Sequence, residues 1–209
     1  FKPMIAEAHS NTNTIQSRFQ LATRWVTMLS LPITITLILA PETYLSLFFT
    51  EEYTVASTAL VALVIGYMLN ASSGPEGMVL EGLGYTRLTL FNSMILVAIN
   101  AALDYLLVPR IGILGAGIGT ASALAIAGFA GIIEIYLFER SHPYTSRLLR
   151  TYLAAGVPIL FGWFLVSTFD SQILIAVTLP IVILVSYIPT LTLAGCFSSD
   201  DKQIAHKID

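Results

Sequence analysis

The sequence has one cysteine, Cys196, so it offers no internal disulfide and no Cys-based metal framework. It has little charge: 10 Lys and Arg and 13 Asp and Glu in 209 residues, or 11%. Soluble domains carry about 25%, so too few charged groups are present to cover a water-soluble surface of this size. Basic excess is missing too. The net charge of −3 supplies no cationic face for nucleic acid, which is excluded as a partner. Only three histidines occur (His9, His142 and His206), far apart and outside the apolar runs, and they read as solvated loop residues. No nucleophile–base pair, paired-carboxylate motif or HExxH is present, so neither enzyme activity nor a cofactor is expected. What remains is apolar: 56% of residues, with mean hydropathy +0.79.

Stretches without Asp, Glu, Lys or Arg cut the chain into six candidate membrane spans: 25–41, 53–75, 88–108 (interrupted by Asp104), 111–133, 151–169 and 171–199. A helix needs about 20 apolar residues to cross the hydrocarbon core. Only helices and closed barrels satisfy their backbones in lipid, and the runs lack the alternation of a barrel strand. The expected fold is therefore all-α, a polytopic bundle of six transmembrane helices. Residues 1–24 form an amphipathic lead-in along the cytoplasmic surface, 139–150 a basic loop and 199–209 a tail. Four helices fill 25–138 and two more 151–198. Nine of the ten Lys and Arg fall on alternate connections, which sets both ends of the segment in the cytoplasm. The chain opens on Phe1, shows no basic segment followed by an isolated apolar one of the signal-peptide kind, and is expected to lack an upstream portion.

Breakers refine these spans. Pro32, Pro158, Pro180 and Pro189 lie inside apolar runs, where neighbouring helices are expected to satisfy the freed carbonyls. Gly74-Pro75 should kink the second span, with Asn70 serving the kink. Gly112, Gly115, Gly117 and Gly119 do not form a nucleotide loop, because the G-x-G-x-x-G spacing fails at Thr120. Gly115 and Gly119, with Gly112 and Ala116 beside them, form small-residue faces for close helix packing.

Polar groups inside spans are functional candidates, since each is costly in lipid. Asn92, Asn100 and Asp104 share one side of the third span by their spacing. Two readings of Asp104 stay open: a cation or proton site in a watery cavity, or an interhelical hydrogen bond. Glu134 is expected to snorkel to the cytoplasmic interface. Glu76 and Glu81 face either a cavity or the cytoplasm. Arg24 should snorkel at the mouth of the first span, and Arg87 stands between the second and third.

Two segments carry a family resemblance. One runs from Glu52-Tyr53 through Gly66-Tyr67-Met68-Leu69-Asn70 and Gly74-Pro75 to Leu80-Glu81-Gly82-Leu83-Gly84-Tyr85-Thr86-Arg87. The other runs from Asn100 through Asp104, Pro109-Arg110, Gly112 and Gly115 to Gly119-Thr120-Ala121. Together with Arg18, Arg24, Leu31-Pro32 and Leu47-Phe48-Phe49, they resemble the polysaccharide-biosynthesis flippases. That family shares a superfamily with multidrug-and-toxin-extrusion transporters and lipid II flippases. The likeness covers 3–146; the family usually has Asn where this chain has Asp104.

The resemblance implies two six-helix lobes, often with two extra C-terminal helices. This chain would hold spans nine to fourteen, so its partners would be the missing N-terminal lobe, membrane lipid and a polyprenyl-linked glycan. The last pair of helices would border a groove for the polyprenyl tail. Translocation of a lipid-linked oligosaccharide by alternating access is the expected function, with Arg24 and Arg87 on the diphosphate and Asn92, Asn100 and Asp104 lining the path. The rivals are a cation-coupled multidrug exporter using Asp104 and a non-transporting membrane scaffold.

Overall fold

A computed structural model describes residues 12–197; His9, His206, Lys2, Lys202, Lys207 and the tail at 199–209 lie outside them. The described chain is helical without strands, in the order α1 (Thr12–Leu39), α2 (Pro41–Phe48), a 3-10 turn (Glu51–Ala56), α3 (Ser57–Ser73), α4 (Glu76–Gly82), α5 (Thr86–Ile111), α6 (Ile113–Glu139), α7 (Ser146–Ala154), α8 (Gly156–Thr168) and α9 (Gln172–Leu193). Six segments are long and apolar enough to cross a membrane: Thr14–Leu39, Glu51–Gly82, Thr86–Ile111, Ile113–Glu139, Ser146–Thr168 and Gln172–Leu193. These match the six runs of the sequence, and the chain is a multi-pass membrane protein.

The helices stand side by side in the order α5, α6, α3, α1, with α8 and α9 closing on the far side of α1. Two apolar cores result. The larger joins Met28, Leu31 and Ile35 of α1 to Leu165 of α8 and Leu179, Ile183 and Tyr187 of α9. The smaller joins Ile15 and Phe19 to Val79, Leu80 and Leu83 beside α4 and to Ile135 of α6. This second core explains why α1 begins so far ahead of its apolar run. Ile15, Phe19, Thr23 and Thr27 recur every four residues and are fully buried, so the polar sequence hides a stripe at helical period. Over its described part, the expected surface lead-in is therefore the first three turns of α1, packed against α4 and α6.

Breaks fall where backbone chemistry demands them. Gly74 has φ +76°, and Thr23 of α1 occupies the space a Cβ would need there. Both facts call for glycine, which tolerates positive φ and close approach. Gly112, at φ +61°, reverses the chain between α5 and α6. Pro158 corrects the expectation for prolines: it lies in the first turn of α8, after a break at Ala155, where no intrahelical N–H is lost. The fifth span is accordingly two helices, α7 and α8. Thr145 caps α7, its Oγ1 accepting from Leu148 N at 3.2 Å.

His142 is also not simply solvated. It is half-buried. Its backbone N–H donates to Gln16 Oε1 at 3.3 Å, and Gln20 Nε2 donates to its carbonyl at 3.3 Å. The basic connection is thereby fastened to the start of α1.

Candidate functional site

Asn92, Asn100 and Asp104 of the third span all meet α6, forming two layers on the α5–α6 seam. In the first, Asn92 Nδ2 donates to Glu134 Oε2 at 2.7 Å. Glu134 thus holds an amide of the neighbouring helix, where snorkelling to the interface was expected. In the second, Asn100 Nδ2 donates to Thr120 Oγ1 at 3.0 Å. One turn on, Asp104 lies over Gly119, where a Cβ would collide with its Oδ1. That oxygen is buried and accepts no hydrogen bond. Asn92 and Asn100 are separated by about 12 Å of helix rise.

Glycines on α6 make these layers possible. Gly115 and Gly119 face α5, the first against the backbone of Leu107. Gly117, Gly128 and Gly131 face the other way, toward Ala59, Ser73 and Glu76. Gly66 of α3 returns the contact, leaving no room for a Cβ above Ala121. α6 is therefore small on both sides, as close packing of three membrane helices requires.

A pocket of about 150 Å³ sits beside the first layer. Asn70 of α3, Glu76 of α4 and Thr89, Asn92 and Ser93 of α5 line it, with Leu80, Leu96 and Ala127 as apolar wall. Gly131 lets the Glu76 stem lie against α6: a Cβ there would stand 2.5 Å from Glu76 Cγ. Asn70 Nδ2 reaches Leu124 O at 3.5 Å, so the residue bridges α3 to α6 four residues before the Gly74 break. Among the described residues no three His, Cys, Asp or Glu side chains converge as a metal site.

The two arginines part company. Arg87 is exposed at the start of α5. Arg24 is only 4% exposed, enclosed within the bundle, and does not snorkel to a mouth. Its neighbours at i−1 and i+3, Thr23 and Thr27, are fully buried, which fixes that face of α1 inward. No sequence signal distinguishes this from snorkelling, because an arginine near the end of an apolar run looks the same in both cases.

Thr89, Ser93 and Thr120 were missed as site residues. Thr89 and Ser93 flank Asn92 at i−3 and i+1, a polar cluster visible in the sequence. Thr120 follows Gly119 and entered as the residue that broke a nucleotide-loop spacing and as part of the family-like motif, with no site role.

Two apolar grooves flank α1. One, about 470 Å³, runs between α1 and α3 and includes Val26, Ile33, Leu37 and Tyr67. The other, about 430 Å³, lies among α1, α2 and α9 and includes Pro32, Phe48, Pro180 and Leu184.

Residues 7–106 match the MatE family model. No curated protein matches the sequence. Among solved structures, a lipid II flippase MurJ in its inward closed conformation is similar over 91% of this chain, with TM-score 0.75 and 14% identity. The chain spans 41% of the length of that flippase.

Proposed function

From assignment to the multidrug/oligosaccharidyl-lipid/polysaccharide exporter superfamily, which the MatE match and the flippase fold support, we propose that this chain is part of a transporter for a lipid-linked oligosaccharide or polysaccharide precursor. The observation that carries the reading is the flippase fold extending over 91% of the chain. Alternating access would move the headgroup through a central cavity while the lipid tail stays outside. A second helical lobe would supply the opposite cavity wall. The apolar groove among α1, α2 and α9 suits an isoprenoid tail, because its lining is almost entirely hydrocarbon.

In this reading the base-rich connections face the cytoplasm. Arg87, exposed there, is the residue offered to the diphosphate, since guanidinium pairs bidentately with phosphate. Arg24 serves the fold instead. Arg87→Gln should lower glycan export about tenfold or more, the loss of a charge-assisted contact of about 1.5–3 kcal/mol, at unchanged membrane level. Arg24→Gln should lower the amount of folded protein. Wild-type export by Arg87→Gln would remove Arg87 from headgroup binding.

One observation favours a second reading, a cation-coupled drug exporter of the same superfamily: the buried Asp104 oxygen without a donor. Such an exporter should show cation-dependent drug efflux that Asp104→Asn abolishes. Efflux that ignores both the cation and the substitution would eliminate it.

A further inference from the structure

We propose that α7 and the end of α9 form a binding site for an anionic phospholipid headgroup, with Arg150 and Arg147 taking its phosphate. Depth is the first reason. α7 and α8 together make one candidate span, Ser146–Thr168, whose 23 residues rise about 35 Å. The hydrocarbon core is about 30 Å thick, so the first turn of α7 stands at headgroup level. The side chains sort to match. Leu148, Thr151 and Ala154 are buried against the bundle, which turns Leu149 and Leu153 outward, 61% and 69% exposed. Arg147 and Arg150 are exposed beside them, one turn apart. Leucines and arginines on adjoining arcs of one helix surface suit acyl chains and anionic headgroups together. The charge is complementary as well: 139–150 holds three arginines and one glutamate. That acid, Glu139, accepts from Tyr85 Oη at 3.2 Å, and Arg140 lies over the Tyr136 ring at 5.8 Å. Both are thus engaged away from α7.

Arg150 is the residue placed to hold the phosphate. Its Nη1 lies 3.6 Å from where a Cβ on Gly195 would stand, so the guanidinium reaches across the seam from α7 to the end of α9. The helix end does not need it as a cap. Ala194, Gly195 and Cys196 already donate their N–H groups to the carbonyls of Thr190, Thr192 and Leu191, closing the last turn on itself. Among the described residues the guanidinium has no hydrogen bond or ion pair. Gly195, at φ +65°, has no side chain to cover it. Leu193, in the last turn of α9, is 88% exposed, so outward leucines of two helices flank the arginine. A phospholipid uses both features: phosphate oxygens meet the planar fork, and acyl chains run along Leu153 and Leu193. A water-soluble anion would use the guanidinium and leave the leucines without a role.

The test is native mass spectrometry of the full chain in detergent, titrated with dioleoyl phosphatidylglycerol or dioleoyl phosphatidylcholine. Phosphatidylglycerol should form a one-to-one adduct with affinity about tenfold above that of phosphatidylcholine. Arg150→Gln should bring the two lipids level. Arg110→Gln, which removes the one base on the opposite connections, should leave the preference unchanged. Equal binding of both lipids by the wild type overturns the proposal. So does an equal loss in Arg110→Gln, which would mean that only net charge is read. Asp200 and Asp201 of this chain are the other candidate occupants. A preference that appears only in Asp200→Asn/Asp201→Asn would assign Arg150 to the chain's own tail, and that also overturns the site. Should Arg150→Gln fail to fold, Arg147→Gln decides: phosphatidylglycerol affinity should fall about threefold, and undiminished affinity overturns the proposal. No transported substrate enters the experiment, so this site and the flippase reading fail separately.

Discussion

Gly66→Leu and Gly117→Leu should each abolish the folded protein, leaving little monodisperse material on detergent size-exclusion chromatography. The reason lies in what a side chain would meet. A Cβ on Gly117 would stand 2.7 Å from the backbone oxygen of Ala59 and 3.1 Å from its Cα. A Cβ on Gly66 would strike the Cα of Ala121. Both obstacles are backbone, so no rotamer change relieves them and α3 must separate from α6. Overpacking a well-filled interior costs about 1–3 kcal/mol even where side chains can adjust. Here they cannot adjust, and the helix pair at the centre of the bundle comes apart. Gly156→Ala is the matched control. Nothing stands within 4 Å of a Cβ there, so its chromatogram should equal that of the wild type. A normal profile for both leucine variants would mean that α3 and α6 do not approach as described.

Asn92→Leu should cost about 2–3 kcal/mol of stability, from a charge-assisted hydrogen bond and a carboxylate left without its partner. Asn92 Nδ2 is the donor to Glu134 Oε2, and the pair lies on the seam between α5 and α6. The double variant Asn92→Leu/Glu134→Leu should recover most of that loss. Replacing both partners removes the unmet charge, and lipid-facing helices tolerate leucine. The midpoint of thermal unfolding in detergent reads the effect: lower in the single variant, near wild type in the double. Additive losses would show that Glu134 is solvated and does not need the amide.

How much of this was legible beforehand differs by element. The six spans were, because each membrane helix satisfies its own backbone and must be apolar over a fixed length. Asn92, Asn100 and Asp104 were placed on one side by helical spacing alone, and they do share the α5–α6 seam. The start of α1 was not. Gln16, Ser17, Arg18 and Gln20 make 14–24 look like a surface segment, and only the contacts of Ile15 and Phe19 with α4 and α6 reveal its buried stripe. The small faces of α6 were half legible. Gly115 and Gly119 were expected to pack closely, but that Gly117, Gly128 and Gly131 serve a second neighbour depends on which helix stands there.

The sequence by itself determined the class of protein. Its 11% charge and six apolar runs leave no soluble alternative, since hydrocarbon accepts only helices or barrels. Pairing between helices is a different kind of fact. Glu134 looks identical whether it snorkels or holds Asn92, and Arg24 looks identical at a mouth or in an interior. Proline at 158 reads as a kink until the chain is seen to break before it. These choices are made by close contact between segments far apart in the sequence, such as Asn92 and Glu134, and no local pattern encodes the neighbour. The scarce charge therefore fixed the environment of the chain, while the tertiary structure decided which of the few charged groups meet water and which meet a neighbouring helix.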